Sequence, residues 1–301
     1  VNVGENTTTE EVPMMPQSAT KAANARAAAL AGLPVVERRL ELAGISTAVL
    51  EGGSGAPLVL LHGPGEHAAK WLRVLPGLTE SHRVVAPDLP GHGATDVSDR
   101  ELDVARVLAW MSDLVARTCS RPPIVVGHVL GGAIAARFAA RQGARIRHLV
   151  LADALGLVPF QPDPAFGKAL TEFVSQPDGE SHDRLWQHCA FDLDRLRDAM
   201  GGQWERLRAY TLDRAGVPGL AQAQGALMEQ FGLPAIPADE LRAITVPTTL
   251  VWGRHDLATP LRVAEAASER YGWPLVVIED AADDPAMDRP DAFTDVLRRI
   301  P

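Results

Sequence analysis

Residues 122–135, PPIVVGHVLGGAIA, restrict the fold more than any other stretch. Ile124-Val125-Val126 is a short apolar run suited to a buried strand. Gly127-His128-Val129-Leu130-Gly131-Gly132 follows as a tight glycine turn, and Ala133–Ala140 continues as a small-residue helix. In the middle of the turn stands Val129. An isopropyl group can neither attack a carbonyl nor carry a proton.

A chain of 301 residues suits one large α/β domain or two small ones. With 46% hydrophobic and 22% charged residues it can bury a sizeable core. The formal net charge of −9 argues against a nucleic-acid surface and against anionic membranes. Cys119 and Cys189 fit no metal spacing and need no disulfide, so a reducing cytoplasm is the expected location. No apolar run reaches the length of a membrane span, and no basic region followed by an apolar stretch marks a secretion signal.

Residues 1–34 read as a mobile N-terminal extension: 1–19 are polar and without periodicity, and the alanine-rich 21–31 forms at most a short helix. Val35–Ala43 and Ile45–Glu51 alternate as a hairpin around a glycine turn. Pro57–Leu61 is an all-apolar strand running into His62-Gly63-Pro64-Gly65. A helix over Ala68–Leu78, a strand over Arg83–Pro87 and the loop Asp88-Leu89-Pro90-Gly91-His92-Gly93 follow. Asp103–Thr118 has helical spacing, and Ile146–Ala152 is a buried strand ending at Asp153.

The alternation then stops. Residues 154–241 are helical, with Phe160, Phe166, Trp186, Trp204 and Tyr210 scattered among them. It resumes with strand Thr248–Trp252, helix Pro260–Tyr271, strand Leu275–Ile278 and a last helix Pro290–Ile300. The pattern predicts a mostly parallel twisted sheet of about eight strands flanked by helices, with a core of 35–153 and 242–301 and a helical cap of 154–241.

The ordered motifs carry a resemblance. His62-Gly63, Asp88–Gly93, Gly127–Gly132, Trp252-Gly253 with Asp256, and Ala282–Phe293 together resemble the α/β-hydrolase-fold superfamily, in its capped branch. That resemblance implies the α/β-hydrolase fold over roughly 35–300. It places the serine nucleophile at the position of Val129, the triad acid at Asp256, and the catalytic histidine at Asp283, since Pro285, Asp288, Pro290 and Phe293 align without a gap. It also implies oxyanion donors at Leu130 and at Pro64, and proline has no N–H to give. Gly65 is the candidate substitute.

The chain therefore reads as an atypical member with the serine and histidine replaced. Two carboxyls meeting where acid and histidine usually meet share a proton and raise one pKa. The expected function is non-covalent acid–base chemistry on a small molecule by Asp283 and Asp256, as an isomerase, lyase, cyclase or water-activating hydrolase. The alternative is a non-catalytic ligand-binding or scaffold protein that keeps the pocket. Val129 then merely floors the pocket, Asp256 caps its turn, and Asp283 belongs to an Asp-Pro turn. Glu66 and His67 are the nearest other candidate bases, and His128 is expected to pack beside the elbow. No other serine stands on a suitable turn: Ser54, Ser98 and Ser120 lie in loops, Ser175 and Ser181 in the cap. No metal or organic cofactor is implied, and the expected ligand is a small, apolar to moderately polar molecule under the cap.

Overall fold

The computed structural model describes residues 17–95, 97 and 102–301; the expectation for 1–16 and the loop serine Ser98 lie outside them. The strands are β1 (Val36–Leu42), β2 (Ile45–Gly52), β3 (Ala56–Leu61), β4 (His82–Pro87), β5 (Ile124–His128), β6 (His148–Ala152), β7 (Thr248–Gly253) and β8 (Leu275–Ile278). They form one sheet of eight strands in the order β1-β2-β4-β3-β5-β6-β7-β8. β2 pairs antiparallel with β1 and β4, and every later pairing is parallel.

The opening hairpin turns on Ala43 and Gly44, at φ 48° and 72°. Positive φ at both central residues is the twist-matched hairpin turn. Central strands are apolar on both sides because both faces are covered. Val59, Leu61, Val125 and Leu151 point into one core with Trp110 and Phe138. Their neighbours Leu58, Leu60, Val126 and Val150 point into the other with Trp71 and Phe293. Each such side chain contributes about 1.5–3 kcal/mol when removed from water.

Two local readings change. The helix expected over 68–78 is a 3-10 turn, Ala68–Arg73, followed by a short helix, Leu75–Thr79. Pro76 stands at the start of the second piece, where it cannot continue the first. Strand β6 begins at His148 rather than Ile146, because a 3-10 turn over Gly143–Arg145 delivers the chain later.

The short helix expected as possible over 21–31 is part of a longer one. It runs from Gln17 to Leu30, and Arg26 enters the interior with a side chain 6% exposed. Its guanidinium pairs with Asp88 at 2.8 Å and with Glu37, and donates to Tyr210 Oη at 3.1 Å. Burial works to lower its pKa; Asp88, Tyr210 and Glu37 outweigh this and raise it. Helix, core loop and the Gly202–Ala215 helix are thereby joined at one buried cation.

Between β6 and β7 the described chain forms helices Pro164–Ser175, Gly179–Cys189, Leu193–Met200, Gly202–Ala215, Pro218–Leu227 and Ala238–Arg242. No helix among the described residues is long and apolar enough to cross a membrane. From β3 the chain crosses first to β4 on one side and then to β5 on the other. Such a reversal opens a crevice at the carboxyl ends of the two strands.

Candidate functional site

Three loops meet at that crevice: 62–67 after β3, the turn after β5, and 279–285 after β8. Val129 sits at φ 47°, ψ −107° between β5 and the helix Leu130–Gln142. A β-branched residue at positive φ is strained by about 1–3 kcal/mol, and surrounding bonds must hold it. Its N–H donates to Ala152 O at 3.0 Å, and its carbonyl accepts from Gly132, Ala133 and Leu155. Gly131 is needed for a different reason: a Cβ there would lie 2.4 Å from the carbonyl oxygen of Leu61. Val129 is 5% exposed and packs into the hydrophobic core. Leu130 opens its helix, so its N–H belongs to the first turn, which has no carbonyl a turn behind it.

The carboxyls are unequal. Asp256 Oδ1 accepts the N–H groups of Ala258 and Thr259 at 2.7 and 2.9 Å. Its Oδ2 lies 2.5 Å from Thr259 Oγ1, which is also 3.0 Å from Asp153 O. Thr259 Oγ1–H donates to Oδ2, so the Asp256 carboxylate is held by two backbone N–H groups and one hydroxyl. Burial pushes its pKa up to about 6. Asp283 places Oδ1 in a buried position without a hydrogen-bond partner. Burial, then the charge of Asp256, raise its pKa well above the usual carboxylate range. Asp153 behaves alike: Oδ1 accepts Gly253 N–H at 2.8 Å, Oδ2 has no partner, and burial with Asp256 pushes it well up.

Lys70 lies among these acids, and the sequence reading assigned it no role. Its Nζ is 2.7 Å from His128 Nδ1, 2.9 Å from Asp284 Oδ2 and 3.4 Å from Glu66 Oε2. The His128 contact has hydrogen-bond geometry, and the two carboxylates pair with the ammonium charge. Burial would lower its pKa; Asp284 and Glu66 more than reverse that. Burial and Lys70 oppose a charge on His128, but Asp284 and Glu66 outweigh them and raise its pKa. The 2.7 Å contact decides for neutral imidazole, because Nδ1 must be unprotonated to accept from an ammonium. Nε2–H then donates to the backbone carbonyl of Asp283 at 2.7 Å. His128, expected simply to pack, bridges β5 to the loop that carries Asp283.

Glu66 and His67, read as candidate bases, are otherwise engaged. Glu66 accepts Gly63 N–H at 2.6 Å, and the charge of Lys70 overcomes its burial to hold its pKa below the usual range. His67 is 1% exposed, lies against the Tyr210 ring at 4.4 Å, and contacts Thr211 Oγ1 at 3.2 Å. Burial drives its pKa down to about 3. His62 accepts Leu89 N–H on Nε2 at 3.0 Å and donates from Nδ1 to Gly63 O at 2.8 Å, bracing the loop. Pro64 and Gly65 are partly exposed at its tip, and Gly65 takes φ 70°. The Cys189 thiol is pushed well up by burial and then by Asp283, so it stays protonated and unreactive.

Asp288 ties the cap to this loop, accepting the N–H groups of Ala282 at 2.9 Å and Phe191 at 3.0 Å. A cavity of about 620 Å³ opens beside the cluster, with Asp256 and Ala282 in its wall. Val129, Leu130 and Asp283 do not line it. No group of His, Cys, Asp and Glu side chains among the described residues is arranged to hold a metal ion.

Comparison with known proteins adds to this geometry. The model of the "Alpha/beta hydrolase family" matches residues 58–296. The chain is 28% identical to the 2-hydroxy-6-oxo-6-(2'-aminophenyl)hexa-2,4-dienoic acid hydrolase of Metapseudomonas resinovorans, over 76% of this chain and 78% of that one. It is 31% identical to the pimeloyl-[acyl-carrier protein] methyl ester esterase of Neisseria meningitidis, over 79% and 90%. Among solved structures, a bacterial membrane phospholipase A superposes with a TM-score of 0.77 at 26% identity, covering 93% of this chain and 90% of that one.

Proposed function

The chain belongs to the α/β-hydrolase family, and we propose that it is a small-molecule enzyme working without a covalent acyl intermediate. Val129 occupies the position at which the family's serine attacks, and no thiol replaces it. The single observation that carries the reading is the buried, unpartnered Asp283 Oδ1 beside Asp256. A carboxyl kept protonated at neutral pH is a proton donor, and burial next to a second carboxyl is how proteins make one.

Each group then has a task. Asp283 donates a proton to the oxygen or carbon of a bound carbonyl compound and retrieves it in the second half of the cycle. Asp256 supplies the negative field that keeps that proton on Asp283, while its own oxygens hold the Ala258–Thr259 turn. Leu130 N–H, at a helix start, is the donor available to developing negative charge. Lys70 and His128 fix the Asp283 loop against β5. Residues 154–241 act as the lid, and the ligand is small and largely apolar. Hydrolysis, with ionised Asp256 taking a proton from the attacking water as Asp283 gives one to the departing alkoxide, is the reaction nearest to the relatives, which are named as a dienoic acid hydrolase and a methyl ester esterase. Isomerisation or elimination would use the same proton.

Asp283→Asn keeps the shape and removes the acid. Turnover of short and medium p-nitrophenyl esters is expected to fall about 10²–10⁴-fold. Full activity in Asp283→Asn would end this reading. A second reading, a ligand-binding protein without chemistry, is favoured by the buried valine where the family's serine stands. It is the one left if the wild type is silent on every ester yet binds ligand.

A further inference from the structure

The 620 Å³ cavity shares Pro260 and Arg262 with a second one of about 270 Å³. The two differ in character. The smaller is an apolar slot walled by Leu155, Val158, Phe160 and Val263. The larger has His188 on the cap side, and Arg254, His255 and Arg262 on the core side. Basic side chains thus gather at one mouth of a protein whose formal net charge is −9.

Their pairing sharpens the point. Arg254 is committed to Glu279, with Nη2 2.6 Å from Oε1. Asp256 is the acid in this wall, and its oxygens are bonded to Ala258 and Thr259. Arg262 is exposed and forms no ion pair with any described residue. Beside it Phe191, 41% exposed, leaves a large apolar face in the mouth, with the His255 ring 4.8 Å away. An unpaired guanidinium at the junction of a basic mouth and an apolar slot is complementary to a molecule with one anionic end and one greasy end.

We propose that the paired cavities, one between the 187–191 segment and the 254–262 turn and one between residues 154–161 and 258–266, bind a short-chain amphiphilic monoanion, its head on Arg262 and its tail in the Val158–Phe160–Val263 slot. At 270 Å³ the slot falls just below the roughly 300–1,000 Å³ common for small-molecule sites, which fits a short chain. The site is distinct from the Val129 turn and holds whether or not Asp283 performs chemistry.

Equilibrium binding tests it without turnover. Octanoate, 1-octanol and acetate would be titrated calorimetrically into the full chain, into Arg262→Gln and into Val158→Asp. Octanoate is expected to bind at least tenfold more tightly than either 1-octanol or acetate. Arg262→Gln should weaken octanoate about tenfold and leave 1-octanol unchanged, whereas Val158→Asp should weaken both. Both substitutions are on exposed positions, so folding is not in question. Octanoate binding no better than 1-octanol, or unaltered in Arg262→Gln, would overturn the assignment. An inactive Asp283→Asn that still binds octanoate separates this site from the acid–base reading.

Discussion

Arg26→Met is expected to lower the free energy of unfolding by about 3–5 kcal/mol, the cost of removing one partner of a buried ion pair. The loss arises less from the missing arginine than from what it leaves. Asp88 is fully buried and retains only the N–H groups of Ala68 and Ala94, at 2.6 and 2.7 Å. Tyr210 loses the donor to its hydroxyl and the guanidinium 5.5 Å from its ring centre. Arg38→Met, which breaks an ion pair on a side chain 58% exposed, should cost under about 1 kcal/mol and serves as the control. Urea unfolding of the three proteins measures this. Equal midpoints for wild type and Arg26→Met would mean that the N-terminal helix is not docked as described.

Lys70→Met should cost a similar 3–5 kcal/mol at pH 7, for the same reason at a different place. Asp284 and Glu66 would be left buried without their cation, and His128 without the donor that fixes its tautomer. This deficit carries a pH signature. In the wild type the pKa of Glu66 is held below its ordinary 4.5, so its contribution is present above that pH and lost as the pH falls through the folded-state value. In the variant the depression is gone and protonation relieves the stranded carboxylate. Wild type and variant should therefore converge as the pH drops below about 4.5. A gap that stays constant from pH 7 to pH 4 would show that Lys70 matters for packing on Trp71 alone, its Nζ lying 4.6 Å from that ring centre.

The sheet was legible because its signals are local and repeated. The run PLVLL in β3 and the alternation of β1 with β2 need no partner to be recognised, and the glycine turn around Val129 fixes the strand–helix reversal. The family is equally plain, since the motifs fall in order along residues matched from 58 to 296. Position-dependent features were harder. Residues 17–30 contain alanine at several positions and little contrast between faces, so nothing in the string separates a free helix from a docked one. Its anchor is a single arginine whose partners, Glu37, Asp88 and Tyr210, lie up to 184 positions away.

Lys70 was passed over for a related reason. The signal was present: lysine occurs only at 21, 70 and 168, and this one interrupts the apolar run AAKWL. A lysine between alanines and a tryptophan must find acids or leave the interior, but the sequence does not say which acids. The alignment of motifs suggests that Asp256 and Asp283 face each other. It carries no sign of their inequality, because that depends on Thr259 and two backbone N–H groups folding onto one carboxyl and none onto the other.

The absence of a covalent intermediate is tested most directly by a fluorophosphonate, which labels an activated serine irreversibly. Wild-type protein, incubated with the probe and weighed intact by mass spectrometry, should remain unmodified, and any ester turnover it shows should persist at its initial rate. A stoichiometric adduct on one serine, with activity lost in step, would contradict the account.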